Sequence, residues 1–125
     1  MATHLPIHVL LVDDEPLMRL AIAQALADEG CLVFEAADGA ATQRALLRVA
    51  SPFDVIILDH RLPDSRELDL LPLVRRIAPH ARVIMITNHP TPELVERAWN
   101  QGVAAILHKP VDLDDLCRRV MALSA

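Results

Sequence analysis

The stretch VIILDHRLPD, residues 55–64, consists of four aliphatic residues followed directly by an aspartate, Asp59. A continuous apolar run of this length is typical of a strand buried on both faces, as in a parallel sheet covered by helices. Pro63 and Asp64 come shortly afterwards, and both residue types favour turns. The stretch therefore predicts a buried strand whose carboxyl end carries an acid.

The rest of the chain repeats this pattern, because short apolar runs alternate with segments of helical period. The predicted strands are residues 8–12, 31–36, 54–58, 82–86 and 104–108. The predicted helices are residues 16 to about 28, 38–49, about 69–77, 91–101 and 112 onwards. Asp38 and Thr91 are the predicted N-caps of the second and fourth helices. Repeated pairs of strand and helix are the pattern of an α/β fold with a parallel sheet.

Composition and charge exclude several classes of protein. The chain has 125 residues, which predicts one domain over residues 1–125. No apolar run approaches the ~20 residues of a membrane span, and MATHLPIH at the start has no basic region or long apolar run. We therefore expect a soluble, cytoplasmic protein without membrane contact, in which Cys31 and Cys117 are reduced. A net charge of -5 argues against direct nucleic-acid binding by this chain.

Polar residues follow four of the five predicted strands. In an open parallel sheet, ligands bind beyond the carboxyl ends of the strands. The residues at those ends are Asp13, Asp14 and Glu15, then Asp59, then Thr87, and finally His108, Lys109 and Pro110. Each has a structural alternative, since aspartate also caps helices and ends strands in turns. Because all of these residues are expected at the same edge of the sheet, a functional site is favoured over the separate structural roles.

Acids from two strands at one edge indicate a bound cation, because neighbouring carboxylates repel one another unless they share one. Mg²⁺ suits such a site best, since it prefers oxygen ligands and leaves positions open for phosphate oxygens. An aspartate beside such an ion can act as a nucleophile on phosphorus. The Lys109 ammonium and the Thr87 hydroxyl would stabilise charge on the transferred group.

Four motifs give the chain a family resemblance along essentially its full length. They are LLVDDE (10–15), VIILDHRLPD (55–64), VIMIT (83–87) and KP (109–110). With these motifs the chain resembles the receiver domain of two-component response regulators. The resemblance implies a flavodoxin-like α/β fold, with a doubly wound five-stranded parallel sheet of order 2-1-3-4-5 flanked by five helices.

The resemblance also implies a function: a Mg²⁺-dependent transfer of a phosphoryl group from a sensor histidine kinase or phosphotransfer protein to Asp59. Such a domain catalyses only its own phosphorylation and dephosphorylation and is not otherwise an enzyme. The implied metal ligands are Asp13, Asp14, Asp59 and the main-chain carbonyl of Arg61. Thr87 matches the switch hydroxyl and Lys109 the phosphate-binding lysine, with a cis peptide bond to Pro110.

Phosphorylation should bias the surface formed by the fourth helix, fifth strand and fifth helix. On that surface we expect Leu94, Val95 and Trp99 to contact a partner or a second copy of the chain in a homodimer. The chain departs from the family pattern where receivers usually have an aromatic, a small residue, a glycine and an uninterrupted helix. The departing residues are Ile106, Asn88, Glu67 and Pro72. Proline is tolerated only in the first turn of a helix. Pro72 therefore predicts that the third helix begins near Asp69 or is kinked.

Three alternatives remain at this point. His60, His89 and His108 could suggest zinc, but their spacing fits no compact ligand motif, and solvated histidines are favoured. A phosphohydrolase of the haloacid dehalogenase type would need a second acid two residues after the nucleophile, where this chain has Arg61. A pseudo-receiver that only scaffolds protein contacts would not need the complete acid set.

Overall fold

Strands and helices alternate along the chain in the computed structural model, which describes residues 6–48, 53–59, 61 and 70–124. The strands are β1 His8–Val12, β2 Leu32–Ala36, β3 Val55–Asp59, β4 Arg82–Thr87 and β5 Ala105–His108. The helices are α1 Pro16–Asp28, α2 Gly39–Arg48, α3 Leu70–Ile77, α4 Pro92–Asn100 and α5 Leu113–Leu123. No helix in the described part of the chain is long and apolar enough to cross a membrane.

The strands form one parallel sheet of order β2-β1-β3-β4-β5, which confirms the predicted fold class. The register brings the carboxyl ends of neighbouring strands level with one another. Val12 pairs with Leu58, so the next residues of the two strands, Asp13 and Asp59, lie side by side. The sheet therefore collects the predicted polar residues at one edge, as expected for a doubly wound fold.

Successive side chains of each strand point to opposite faces of the sheet, and both faces are covered. One core cluster joins alternate strand residues such as Leu10, Ile56 and Met85 to α2, α3 and α4. The other joins Leu11 and Ile57 to α1 and α5. This two-sided burial explains why the strands are continuously apolar.

Capping residues set the helix starts that the sequence predicts. The Asp38 carboxylate accepts a hydrogen bond from the Ala41 N–H at 2.7 Å, and the Asp112 carboxylate caps α5 in the same way. Thr91 caps α4, and its hydroxyl oxygen accepts from the Leu94 N–H at 3.2 Å. Such caps satisfy N–H groups that lack a partner inside the helix.

Small differences from the predicted boundaries have local causes. Cys31 is not part of β2, because its N–H donates to the Leu26 carbonyl in the turn that ends α1. β3 extends one residue further than predicted, since Asp59 pairs with Ile86 of β4. Pro72 is the third residue of α3, inside the first turn, where proline is tolerated. The predictions that concern Val49, His60, Glu67 and Asp69 fall outside the described residues.

Candidate functional site

A polar cleft opens at the carboxyl edge of the sheet and encloses about 250 Å³. Its walls are contributed by the ends of β3, β4 and β5 and by the turn after β1. The lining residues are Asp14, Glu15, Asp59, Arg61, Thr87, Asn88, His89 and Lys109. The cleft thus brings together residues from four strand ends that are far apart in the sequence.

Three aspartates come together here, and two of them, Asp14 and Asp59, line the cleft. Asp13 and Asp59 are only 2% and 5% exposed, whereas Asp14 is exposed. One carboxylate oxygen from each of the three lies within 4.8 Å of the others. Asp13 is held at the end of β1 because its N–H donates to the Ala36 carbonyl at 3.0 Å. Its carboxylate accepts the Glu15 N–H at 2.8 Å.

Burial raises the pKa of the Asp13 carboxyl above its ordinary value, and the neighbouring Asp59 charge adds to the effect. The hydrogen bond from the Glu15 N–H and the charge of Lys109 act in the opposite direction. Burial without enough compensation disfavours the charged form of a carboxyl group. The folded chain therefore keeps a negative charge at Asp13 at an energetic cost.

The pKa of Asp59 is also raised, mainly by burial and further by the charge of Asp14. The Arg61 N–H, which donates to Asp59 Oδ1 at 3.1 Å, and the Lys109 ammonium partly offset this rise. A bound cation would lower the cost of keeping Asp13 and Asp59 charged. The donor set consists of carboxylate oxygens, which are hard ligands that fit Mg²⁺.

Lys109 places a buried positive charge in the cleft. Its Nζ lies 3.2 Å from Asp59 Oδ2 and 3.2 Å from Glu15 Oε1. Burial alone would lower the pKa of Lys109, but Asp59, Glu15 and Asp13 together raise it. The lysine is therefore a protonated ammonium at neutral pH, with two carboxylate partners.

Thr87 ends β4 beside Asp59 and is 1% exposed. Its hydroxyl oxygen accepts the His89 N–H at 3.1 Å, and its carbonyl accepts the Lys109 N–H at 2.9 Å. The Lys109-Pro110 peptide bond is cis. Thr87 thus connects the cleft both to the loop after β4 and to the end of β5.

The residues predicted for a partner surface lie apart from the cleft, on α4. Trp99 is 48% exposed, and Val95 is half-buried. Leu94 does not belong to that surface, which corrects the sequence-based expectation: it is 4% exposed and packs in the core with Ala98. Val95 and Trp99 lie one position further around the helix, where the side chains reach solvent.

The described histidines are not in the group that could hold a metal ion, which among the described residues consists of the three aspartates. His89 lines the cleft, and the His108 ring bonds to the Asn88 main-chain oxygen at 2.8 Å. Ile106 packs against the core cluster on the α4 side.

Two contacts were missed by sequence reasoning: the ion pair of Glu15 with Lys109 and the link from His108 to Asn88. The sequence pattern places Glu15 at a strand end but predicts no role for it. The available signal is the position of Glu15 directly after Asp13 and Asp14 in the sequence.

Comparisons with known proteins agree with this fold. The family model described as the response regulator receiver domain matches residues 9–121. Among curated relatives, the transcriptional regulatory protein GlrR of Escherichia coli (strain K12) is 34% identical over 118 residues, which are 94% of this chain and 26% of that protein. The probable transcriptional regulatory protein NarL of Mycobacterium tuberculosis (strain CDC 1551 / Oshkosh) is 33% identical over 92% of this chain and 53% of its own length.

Solved structures give the same result. The CheY-like receiver domain protein from Methanospirillum hungatei JF-1 superposes with a TM-score of 0.89 at 26% identity, covering 96% of this chain and 94% of that chain. A receiver domain protein from Clostridium thermocellum superposes with a TM-score of 0.86 at 28% identity, covering 96% and 94%.

The chain belongs to the response regulator receiver domain family of two-component systems. Members of this family are in general signalling domains and not metabolic enzymes, and they act with histidine kinases or phosphotransfer proteins. The chain spans about a quarter of the length of GlrR and about half that of NarL.

Proposed function

We propose that this chain accepts a phosphoryl group on Asp59, in a Mg²⁺-dependent reaction, from a sensor histidine kinase or a phosphotransfer protein. The observation that carries the proposal is the environment of the Asp59 carboxylate. Oδ1 accepts the Arg61 N–H at 3.1 Å, and Oδ2 lies 3.2 Å from Lys109 Nζ. Both oxygens are held at the cleft, beside the other two aspartates.

Asp59 would act as the nucleophile. One of its carboxylate oxygens forms a bond to phosphorus while the bond from phosphorus to the donor's histidine nitrogen breaks. The electron pair of that bond leaves on the nitrogen. β3, the Arg61 N–H and the Lys109 ammonium hold the Asp59 carboxylate in place before the donor arrives. This reduces the entropy lost on reaching the reactive geometry.

Lys109 and Thr87 would stabilise the product. The Lys109 ammonium already contacts the acceptor carboxylate, so it can bind an oxygen of the transferred group without a large movement. The Thr87 hydroxyl, at the cleft wall, can donate a hydrogen bond to another of these oxygens. Such fixed donors are effective because they need little reorganisation during the reaction.

Asp13, Asp14 and Asp59 would hold Mg²⁺, and we assign a fourth ligand to the main-chain carbonyl of Arg61. When bound, the ion supplies positive charge to the carboxylates and to the phosphoryl oxygens. The close approach of three carboxylate oxygens, within 4.8 Å, supports this assignment.

Phosphorylation would then alter a partner-binding surface. A phosphoryl group brings negative charge next to Thr87 and Lys109, and both residues are hydrogen-bonded to neighbouring elements. We assign the output to the face formed by α4, β5 and α5, where Val95 and Trp99 reach solvent. A partner protein or a second copy of the chain would bind there.

The test is phosphorylation by acetyl phosphate, or modification by beryllofluoride, in the presence of Mg²⁺. Intact-mass measurement should detect one added phosphoryl group on the wild type and none on Asp59→Asn. Asp54→Asn is the matched control, because Asp54 is an exposed aspartate that directly precedes the first residue of β3, far from the cleft end of the strand. It should be modified like the wild type, and chelation of Mg²⁺ should prevent modification.

Other outcomes would favour the alternatives. A wild-type chain that remains unmodified and does not bind Mg²⁺ would be a pseudo-receiver. Steady release of phosphate from a phosphate ester would instead indicate a phosphohydrolase.

A further inference from the structure

Glu15 is the second partner of the lysine in the cleft. Its Oε1 lies 3.2 Å from Lys109 Nζ, the same distance as Asp59 Oδ2. The two residues are 94 positions apart in the sequence. The ion pair therefore joins the turn after β1 to the end of β5, and both residues line the cleft.

The Glu15 side chain has no evident role in starting the helix that follows it. Glu15 is the N-cap residue of α1, yet its side chain makes no capping hydrogen bond. Ser, Thr, Asp and Asn are the residues preferred for capping. The Glu15 carboxylate is instead directed to Lys109, which points to a role at the cleft.

The two partners differ in how easily each can leave the contact. The side chain of Glu15 is 57% exposed, whereas that of Lys109 is 8% exposed. A partly exposed carboxylate can rotate out into the solvent at small cost, because water molecules replace its lost partner. A buried ammonium has no such option. When a new anion enters, Glu15 is thus the group that moves and Lys109 the group that stays.

We propose that Glu15 is a positioning residue that occupies Lys109 and restrains phosphorylation of Asp59. This inference rests on the function proposed above. An incoming phosphoryl group competes with the Glu15 carboxylate for the N–H donors of the ammonium, and the Glu15 charge adds to the charges of three nearby aspartates. Both effects slow the reaction with a small anionic donor, since like charges repel and the ion pair weakens the attraction of Lys109 for phosphoryl oxygens.

The reaction used as a test is transfer from acetyl phosphate. An Asp59 carboxylate oxygen forms the bond to phosphorus, the bond from phosphorus to the acetyl oxygen breaks, and acetate leaves with the electron pair. At saturating Mg²⁺ and low ionic strength, Glu15→Gln should react roughly 3- to 10-fold faster than the wild type. Its dissociation constant for beryllofluoride should fall by a similar factor.

Matched variants separate charge from structure. Glu15→Asp keeps the charge, and its rate should lie between those of the wild type and Glu15→Gln. Glu29→Gln removes the same charge at the far end of α1, where Glu29 is the C-cap residue, and should change the rate less than about 1.5-fold at that distance. Adding about 0.5 M salt should reduce the advantage of Glu15→Gln, because salt screens an exposed charge.

A second measurement needs neither Mg²⁺ nor a phosphoryl donor. Unfolding free energies of the metal-free wild type, Glu15→Gln, Lys109→Met and the double variant form a cycle that should give a favourable coupling between the two side chains. Zero coupling, or a Glu15→Gln rate no faster than that of the wild type, would overturn the inference while the proposed function stands. A wild type that no donor modifies would overturn both.

Discussion

The imidazole of His108 joins the end of β5 to the loop after β4, since its Nε2 lies 2.8 Å from the main-chain oxygen of Asn88. His108 is two residues beyond Ile106 and so faces the same side of the strand. Receivers usually carry an aromatic residue where this chain has Ile106. In this structure the polar contact from His108 to Asn88 connects the ends of β4 and β5. It lies next to Thr87, which pairs with His108 in the sheet.

Replacing His108 should loosen that loop. We expect His108→Ala to speed amide hydrogen exchange at His89 roughly fivefold, because the loop loses one hydrogen bond of about 1 kcal/mol. His80→Ala is the control, since His80 is exposed at the other end of β4. Unchanged exchange at His89 would show that the contact does not hold the loop.

The buried Asp13 carboxyl should make the metal-free protein less stable at neutral pH. Burial raises the pKa of Asp13 above its ordinary value of 3.8, so the folded state binds this proton more tightly than the unfolded state does. Stability contributed by this group is therefore present below the ordinary pKa and is lost as pH rises through the higher folded value.

Removing this charge should consequently stabilise the metal-free fold. Asp13→Asn keeps an oxygen that can accept the Glu15 N–H, and it should raise the free energy of unfolding near pH 7 by on the order of 1 kcal/mol. The gain should shrink as the pH falls through the raised folded pKa of Asp13 and should be largely gone at its ordinary value of 3.8. Urea titrations at several pH values measure it, and a destabilised Asp13→Asn protein at pH 7 would contradict the account.

Two glycines with positive φ should respond differently to the same substitution. Gly30 and Gly102 have φ of +89° and +85°, where a side chain is strained. A methyl group at Gly30 would meet nothing within 4 Å, but at Gly102 it would lie 3.1 Å from the Arg75 guanidinium. That guanidinium donates to the carbonyls of Gln101 and Gly102, so it cannot move without losing hydrogen bonds.

Gly30→Ala should therefore cost about 1 kcal/mol of unfolding free energy, from backbone strain alone. Gly102→Ala should cost about 1 kcal/mol more, the scale of a lost hydrogen bond. Thermal or urea unfolding of the two variants tests this order. Equal losses would mean that Arg75 moves aside freely.

Arg61 should lengthen the life of the phosphorylated state. It is exposed at the wall of the cleft, beside the acceptor whose oxygen its N–H contacts. Arg61→Ala keeps that N–H and removes only the side chain, so we expect several-fold faster loss of the phosphoryl group as water gains access. Dephosphorylation rates of the wild type, Arg61→Ala and the exposed-site control Arg76→Ala decide the point, and equal rates for all three would refute it.

Much of this architecture could be predicted from the sequence, because the information is local. Continuous apolar runs identify buried strands, and the residue after each run must lie at the carboxyl edge of a parallel sheet. Asp13, Asp59 and Lys109 could therefore be placed at one edge before their distances were known. The caps at Asp38 and Thr91 could be predicted for the same local reason.

The remaining features depend on geometry that the pattern does not contain. Leu94 and Val95 are adjacent apolar residues of α4, and only packing against the sheet shows that Leu94 is buried while Val95 reaches the surface. The Glu15 contact with Lys109 spans 94 positions and depends on the direction of two long side chains. Periodicity reports which face of an element is apolar, but not which long-range partner a surface charge selects.

The most direct test of the central claim is to locate the phosphoryl group among the three neighbouring aspartates. The chain would be treated with acetyl phosphate and Mg²⁺, the acyl phosphate reduced with borohydride, and the peptides sequenced by mass spectrometry. The account predicts a single reduced residue at Asp59, with Asp13 and Asp14 intact. Reduction at Asp13 or Asp14 with Asp59 unmodified would contradict it.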